Sequence, residues 1–270
     1  MSALASSYDG FQQVASLLRA WDGQAHAEHL PLIDSTNTEL MRRARNGDNR
    51  TCLLLADEQT AGRGRLGRQW QGQPGDALTF SLGLSMSPTD WSGLSLAVGC
   101  CLADALDPLH DKNIGLKWPN DLMLGNLDKL RKLGGILIET VVKQGTPEAS
   151  RYVVIGVGLN LTAPPAGDYR STPAGLREVS GEQLTTLDVL QTVLPGLLKG
   201  LKQFERAGFA LFQQAFEQRD VLLGQTLQLS NGEHGQAAGV DALGVLLLDG
   251  EHGRIKVNSD EVSVLPMGRA

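Results

Sequence analysis

The stretch from Ala61 to Trp70 contains the side chains best suited to binding an anion. Arg63, Arg65 and Arg68 lie within it, separated by glycines and without any acidic residue. Guanidinium groups form charge-assisted hydrogen bonds with carboxylates and phosphates, and the backbone amides of a glycine-rich loop add to them. The stretch therefore predicts a loop that binds phosphate or carboxylate oxygens. A solvated basic loop without a ligand is the alternative.

The glycines of this loop also match the dinucleotide-binding pattern G-x-G-x-x-G, at Gly62, Gly64 and Gly67. That pattern requires a strand directly before it, a helix directly after it and an acidic residue about 20 positions further on. The sequence supplies none of these three features. A Walker A loop is excluded as well, because no lysine followed by serine or threonine closes the motif.

A second group of polar side chains ends a short apolar run, in Lys117-Trp118-Pro119-Asn120-Asp121. Lys132 opens the next apolar run. A hairpin between the two runs would bring the Lys132 ammonium beside the Asn120 carboxamide and the Asp121 carboxylate. The alternative is an Asn-Asp turn with an ordinary lysine flanking a strand.

A third segment, Ile155–Asn160, places two glycines inside an apolar strand. Glycine weakens a strand, and its usual reason there is the close approach of a ligand or another backbone. Asn160 would then offer a hydrogen-bonding edge to that ligand. A β-bulge would explain the same glycines without any ligand.

The composition restricts the partners and the compartment. The 270-residue chain has 24 Lys and Arg against 30 Asp and Glu, and this net charge of −6 argues against general binding to nucleic acid or membranes. Its three cysteines and five histidines lack metal-ligand spacing, and a reducing cytoplasm fits best. Neither a signal peptide nor a run of about 18 apolar residues is present. The 32 glycines indicate backbone lying close to a ligand or to other backbone.

Hydrophobic periodicity predicts an α+β fold in which helices pack on a mixed β-sheet. Helices are expected at 11–20, after Ser35 with Thr36 and Glu39 as a capping box, at 91–106, at 184–207 with an interruption at Pro195, and at 209–219. Strands are expected at 52–56, 77–84, 114–118, 133–142 and 152–161.

The composition changes near Val221, where short strand patterns separated by glycines begin. They lie at 226–229, 236–241, 244–249, 254–257 and 262–265. About fifty residues of this kind predict a small β-barrel. The chain therefore divides into a larger domain over 1–220 and a small barrel domain over 221–270.

Taken together, five segments resemble the biotin–protein ligase family, also called biotin–acetyl-CoA-carboxylase ligases. They occur in the family's order, as Asp34–Asn37, Ala56–Trp70, Lys117–Asp121, Arg131–Leu137 and Ile155–Asn160. The resemblance implies a catalytic domain like that of class II aminoacyl-tRNA synthetases, followed by an SH3-like barrel. It also implies that biotin and ATP, the latter with Mg²⁺, are substrates and that no prosthetic group is bound.

The activity that the resemblance implies has two steps. Biotin's carboxylate attacks the α-phosphate of ATP to give biotinyl-5′-adenylate, and a lysine of a biotin carboxyl carrier protein then takes the biotinyl group. No nucleic acid partner is expected, because only about 34 residues precede Ser35 and a DNA-binding domain would need more. No membrane partner is expected either, since the chain is acidic and has no long apolar run. This is the pattern of a ligase-only form. Homodimers are common in the family.

The resemblance also implies a role for each matching residue. Biotin contacts fall to Ser35, Thr36, Asn37, Gln59, Arg63, Gly64, Arg65 and Lys132. ATP contacts fall to Arg68, Trp70, Asn120, Asp121 and Asn160, with Trp70 on adenine, Asn160 at the adenine edge and Asp121 near a phosphate-bound magnesium ion. Lys132, Arg63 and Arg65 are the expected catalytic residues, and the loop holding the two arginines is expected to become ordered only with ligand.

One position departs from the family, and two other functions stay open. Leu265 stands where the family often has an arginine near the nucleotide. Either Arg269 or an earlier basic residue replaces that arginine, or the barrel contributes little to ATP binding. A lipoate–protein ligase has the same architecture but typically carries three successive glycines after paired arginines, and this sequence has no such run. A non-catalytic nucleotide-binding protein would not need the combination of Gln59, Arg63, Arg65 and Lys132.

Overall fold

The computed structural model describes residues 3–126, 129–142, 150–165, 167, 169–230, 232–257 and 264–266. Its helices are α1 Ala3–Trp21, α2 Thr36–Arg45, α3 Leu94–Leu106, α4 Arg177–Ser180, α5 Thr186–Ala207 and α6 Gln213–Glu217. The first seven strands are β1 His26–Ile33, β2 Cys52–Gln59, β3 Ala77–Met86, β4 Ile114–Lys117, β5 Asp121–Leu124, β6 Arg131–Val142 and β7 Arg151–Asn160. Five more are β8 Thr226–Leu229, β9 His234–Val240, β10 Leu246–Gly250, β11 Gly253–Val257 and β12 Val264–Pro266.

The first seven strands form one mixed sheet in the order β1-β2-β3-β7-β6-β5-β4. β1 and β2 run parallel, and every other neighbouring pair is antiparallel. The central strands β3 and β7 are apolar almost throughout, as expected of strands covered on both faces. The prediction of a mixed sheet with packed helices is confirmed.

Helices cover the two faces of this sheet unequally. On one face, α3 packs on β4, β5 and β6, α5 packs on β3 and on α3, and α1 packs on α5. On the other face, α2 is the one helix within the described residues that packs on the sheet, and it buries Leu40, Met41 and Ala44. This leaves much of the second face open beside the N-terminus of α2. Among the described helices, none is both long and apolar enough to cross a membrane.

The last five strands form a separate antiparallel sheet in the order β11-β10-β9-β8-β12. This agrees with the expected small β domain at the C-terminal end. Its core is continuous with that of the larger sheet. The Trp118 indole Nε1 donates to the Gly244 carbonyl at 3.0 Å, and Gln213 Nε2 donates to the Val240 carbonyl at 2.9 Å. The second sheet therefore contacts the strand end that carries the Lys117–Asp121 segment.

Three details of the predicted elements are wrong. Ser35, not Thr36, caps α2, because Ser35 has extended backbone angles and its Oγ accepts from Thr38 N at 3.3 Å. Pro195 lies inside an uninterrupted α5, where burial of the apolar stripe that includes Val193 and Leu197 outweighs the lost hydrogen bond. The helix expected at 209–219 is a short 3₁₀ turn followed by α6.

Two strands were not predicted. β1 is an edge strand that contains Pro31 and mostly partly exposed residues, so its apolar pattern is weak. β5 has only four residues, yet it lies between β4 and β6 and sets their separation.

The Leu265 position belongs to β12, and nothing is described of its side chain. Arg269 lies outside the described residues.

Candidate active site

A cavity of about 730 Å³ opens on the face of the sheet beside α2. Twelve of the thirteen predicted site residues line it: Ser35, Thr36, Asn37, Gln59, Arg63, Gly64, Arg65, Arg68, Trp70, Asn120, Asp121 and Lys132. Their positions in one cavity are observed, and their contacts with ligands stay predictions. The segments that carry them are far apart in sequence, so the sheet is what brings them together.

Two rows of registered residues run across the floor of the cavity. The first row is Ser81, Gly156 and Leu137, from β3 through β7 to β6. The second row is Thr79, Gly158, Gly135, Asp121 and Lys117, from β3 through β7, β6 and β5 to β4. Residues directly opposite in neighbouring strands project to the same face of a sheet. The rows therefore give each site residue a fixed order across the cavity.

Gly156 and Gly158 leave room on this floor for two side chains that arrive from elsewhere. A Cβ atom on Gly156 would overlap Oδ1 of Asn37 and lie 2.9 Å from its Cγ. A Cβ atom on Gly158 would overlap the Trp70 ring and lie 2.6 Å from its Cζ2. β7 pairs with both neighbours without a register shift, so the β-bulge alternative is wrong. Close approach of side chains is the reason for these glycines.

Neutral polar side chains meet at the N-terminus of α2. Ser35 and Thr36 are each 2% exposed. The backbone N–H and the hydroxyl of Thr36 both donate to Oε1 of Gln59, at 2.7 and 3.1 Å. The first turn of α2 also brings backbone amides and a partial positive charge to this end of the cavity.

Asn37, which is 3% exposed, continues the same network. Its Nδ2 donates to the Leu137 carbonyl at 3.3 Å and to Oε2 of Glu139 at 3.1 Å. The Ser81 hydroxyl lies 2.6 Å from Asn37 Oδ1 and 2.7 Å from Thr36 Oγ1. Ser81 was not predicted, because a serine within an apolar strand gives no signal of a polar network. We call the five residues Ser35, Thr36, Asn37, Gln59 and Ser81 the neutral end of the cavity.

The arginine loop, residues 61–70, folds as a short hairpin over the cavity. Gly64 N donates to the Arg68 carbonyl at 2.8 Å, and Trp70 N donates to the Gly62 carbonyl at 2.9 Å. Leu66, at the tip, has a positive φ of 55° and is 62% exposed. The hairpin therefore places backbone amides and guanidinium groups above the floor.

Two side chains attach this hairpin to the sheet. Arg63 Nη1 lies 3.1 Å from Oε1 of Glu139. The Trp70 indole Nε1 donates to Thr79 Oγ1 at 3.3 Å, which fixes the ring above the second row of the floor. Glu139 was also missed by the sequence analysis. That the loop becomes ordered only with ligand stays a prediction.

Lys132 and Asp121 meet at the other end of the cavity, as the predicted hairpin required. Lys132 Nζ donates to Asp121 Oδ1 at 2.6 Å. The backbone of Lys132 is fixed too, because its N–H donates to the Thr172 carbonyl and its carbonyl accepts from Ala174 N. Asn120 braces the hairpin by donating from Nδ2 to the Ile136 carbonyl at 2.9 Å. The observed neighbour of Lys132 on the sheet is β5 rather than β4.

Further cations lie at this end, which we call the cationic end. Lys117 and Arg170 line the cavity with Lys132 and Arg68, although neither Lys117 nor Arg170 was predicted. Burial lowers the pKa of Lys117; the Asp121 carboxylate opposes this shift, and the charges of Lys132, Arg170 and Arg68 add to it. The region therefore holds more positive than negative charge.

Asn160 is the predicted site residue that does not line the cavity. It is 5% exposed, and its Nδ2 donates to the Ala174 carbonyl at 3.1 Å. The same nitrogen lies 3.5 Å from the Lys132 carbonyl. In this structure the amide joins the end of β7 to the segment beside Lys132. Its expected contact with adenine stays a prediction.

Outside the cavity, three potential metal ligands come together across β1 and β2. They are His26, Glu28 and Cys52. Arg43 already holds both carboxylate oxygens of Glu28, at 2.6 and 2.8 Å, and burial raises the pKa of the Cys52 thiol to about 12. A protonated thiol and a carboxylate paired with arginine are poor metal ligands.

The arrangement suits two ligands, or one ligand with two unlike ends. Buried neutral donors and acceptors at the neutral end recognise an uncharged polar group. Fixed cations at the cationic end stabilise phosphate and any charge that develops on it. None of these features requires a protein nucleophile.

Comparisons with known proteins agree with this site. Residues 29–160 match the model of the Biotin/lipoate A/B protein ligase family. The bifunctional ligase/repressor BirA of Escherichia coli is 33% identical over 229 residues, which cover 82% of this chain and 68% of that protein. The biotin–[acetyl-CoA-carboxylase] ligase of Paracoccus denitrificans is 31% identical over 243 residues, covering 86% of this chain and 98% of that protein.

The fold comparison leads to the same family. The biotin protein ligase from Aquifex aeolicus, in complex with biotin and ATP, superposes with a TM-score of 0.73 and 28% identity. The match covers 89% of this chain and 99% of that chain. Together with the cavity and its two unlike ends, these similarities show that the chain belongs to the biotin–protein ligases of the biotin/lipoate A/B protein ligase family.

Proposed function

We propose that this chain activates biotin with ATP to give biotinyl-5′-adenylate and then transfers the biotinyl group to a lysine of a biotin carboxyl carrier protein. The observation that carries the proposal is the meeting of a buried neutral end and a cationic end in one cavity. The two ends match the two parts of the adenylate, an uncharged ureido ring and a phosphate.

The neutral end favours biotin over lipoate. Biotin's ureido ring offers two N–H donors and a carbonyl acceptor to Ser35, Thr36, Asn37 and Gln59. Lipoate's dithiolane ring offers no comparable group, so it would gain no hydrogen bonds from these polar side chains. A site built to hydrogen-bond one ligand discriminates strongly against an analogue that lacks the groups.

The cationic end provides for the first chemical step. An oxygen of the biotin carboxylate forms a bond to the α-phosphorus of ATP while the bond from that phosphorus to the β-phosphate oxygen breaks. Pyrophosphate leaves with the electron pair. Two anions must approach each other. Lys132 at this end, with Arg63 and Arg65 of the arginine loop in the same cavity, would reduce their repulsion and stabilise charge at phosphorus.

Release of Arg63 from Glu139 is part of this proposal. The Arg63 side chain is 48% exposed and its partner carboxylate lies on the floor beside the neutral end. An incoming biotin carboxylate would compete with Glu139 for the same guanidinium. The arginine loop would then close over the mixed anhydride and exclude water from it.

In the second step, the acceptor lysine attacks the carbonyl carbon of the adenylate and AMP leaves. Magnesium enters with ATP as part of the substrate, and Asp121 is the carboxylate available beside the phosphates. Because Asp121 also pairs with Lys132, phosphate binding to Lys132 would release it.

Several finer assignments accompany this function. We propose a class II aminoacyl-tRNA-synthetase-like catalytic domain over 1–220 and an SH3-like barrel over 221–270, which the two separate sheets support. A reducing cytoplasm is supported by the three free cysteines, of which two are buried. Homodimer formation stays a prediction.

Exchange of labelled pyrophosphate into ATP tests the first step. The exchange should require biotin and should not occur when lipoate replaces it. Exchange with lipoate but not with biotin would point to the lipoate ligase. If neither acid supports exchange, the chain would be a protein that binds nucleotide without this chemistry.

A further inference from the structure

Lys117 lies at the far end of the second row on the cavity floor. From the Trp70 ring above Gly158, the row passes Gly135 and Asp121 before it reaches Lys117. Neighbouring strands are about 4.8 Å apart, so the strand of Lys117 lies three strand spacings, or about 14 Å, from β7, over which the Trp70 ring lies. This order matters for a ligand that extends along the row.

Lys132 occupies an intermediate place in that order. A Cβ atom on Gly135 would lie 3.5 Å from Lys132 Nζ and 3.5 Å from Asp121 Oδ1, so the Lys132–Asp121 pair stands next to Gly135. On the proposed function, Trp70 packs on adenine and Lys132 faces the α-phosphate. The β- and γ-phosphates then extend toward Lys117.

The charges at this end exceed what the reacting atoms need. Lys117, Lys132, Arg68 and Arg170 all act on the same region, where Asp121 is the carboxylate that opposes them. A carboxylate and one α-phosphate are already served by Lys132 and the arginine loop. The remaining cations, Lys117 and Arg170, fit the leaving pyrophosphate, which carries several negative charges.

Lys117 itself is a cation held without an ion pair. Within the described residues no hydrogen bond or salt bridge is found for its ammonium, whereas Lys132 holds the neighbouring Asp121 carboxylate. Burial and the surrounding cations also lower its pKa. A lysine kept partly desolvated among like charges gains most from an added anion.

We propose that Lys117 is a further catalytic residue, whose ammonium binds the β,γ-phosphate group of ATP and stabilises the pyrophosphate as it leaves. The inference rests on the proposed function. It predicts a role in adenylate formation only, because the transfer step contains AMP but no pyrophosphate.

The test separates the two half-reactions in Lys117→Met, which keeps most of the length of the side chain and removes its charge. Formation of biotinyl-5′-adenylate from biotin and ATP should slow by about 10²-fold, the size typical of one oriented donor. Transfer from synthetic biotinyl-5′-adenylate to a carrier domain should stay within about twofold of wild type. Lys117→Arg should recover part of the first rate.

Lys199→Met serves as the matched control, because Lys199 is an exposed lysine on α5 away from the cavity. It should leave both half-reactions unchanged. Equal losses in adenylation and transfer for Lys117→Met, or adenylation within about threefold of wild type, would overturn the role of Lys117. A wild-type protein that performs neither half-reaction would instead overturn the proposed function itself.

Discussion

A methyl group added at Gly156 should weaken biotin binding while leaving the ATP site largely intact. In Gly156→Ala the new Cβ atom overlaps Asn37 Oδ1 and lies 2.9 Å from Asn37 Cγ. Asn37 is 3% exposed and its amide is held by Leu137, Glu139 and Ser81, so it cannot move without breaking hydrogen bonds. The clash is thus transmitted to the proposed ureido contact.

The size of the effect follows from two costs. Overpacking a well-packed site costs about 1–3 kcal/mol, and each displaced hydrogen bond adds about 1 kcal/mol. Part of this cost appears as lower stability and part as weaker binding. If about 1.4 to 2.8 kcal/mol falls on binding, the Kd for biotin rises about 10- to 100-fold.

Gly158→Ala provides the matched comparison two residues along the same strand. Its Cβ atom overlaps the Trp70 ring rather than Asn37, so the KM for ATP should rise instead of the Kd for biotin. Gly23→Ala, with no atom within 4 Å of the added Cβ, is the neutral control. Calorimetric titration with biotin and steady-state kinetics in ATP measure the two effects. Equal changes in both constants for both variants, or unchanged biotin affinity in Gly156→Ala, would refute the assignment of the two ends.

Three further predictions address the reacting centre, the arginine loop and the junction with the second sheet. Lys132→Ala should slow adenylate formation by about 10²- to 10³-fold with an unchanged circular dichroism spectrum, and near-normal pyrophosphate release would reject its role. Trypsin should cleave the free protein between Arg63 and Arg68, and biotin with ATP should suppress this cleavage. Equal cleavage with and without the two ligands would contradict loop closure. Burial raises the pKa of Asp220 to about 6, and its Oδ2 has no hydrogen-bond partner within the described residues. The Asp220 carboxyl has a pKa of about 4 in the unfolded chain, so the folded protein binds an extra proton between pH of about 4 and about 6 and its stability falls as pH rises through that range. Asp220→Asn should therefore raise Tm more at pH of about 8 than at pH of about 5. A larger rise in Tm at the lower pH would contradict the assignment.

Local sequence patterns indicated several residues that line the cavity but placed some of the surrounding elements wrongly. The arginines and glycines of the loop, and the pairing of Lys132 with Asp121, follow from residue type and a simple hairpin. The cap of α2 could not be decided this way, since Ser35 and Thr36 are both favoured cap residues and only the backbone angles distinguish them.

The contributions of Ser81 and Lys117 depend on sheet register, which no local pattern contains. Ser81 reaches the neutral end because β3 pairs with β7 at Gly156. Lys117 joins the cationic end because β5, a strand of four residues, aligns Asp121 with Gly135 on one side and with Lys117 on the other. Strands so short give little periodicity, although they decide which side chains share the cavity.

Mass spectrometry of an acceptor protein tests the central claim most directly. The chain is incubated with ATP, magnesium and a biotin carboxyl carrier domain, with biotin in one sample and lipoate in another. The account predicts one biotinyl group on the acceptor lysine in the first sample and no modification in the second. An unmodified acceptor with biotin, or lipoyl transfer in its place, would contradict it.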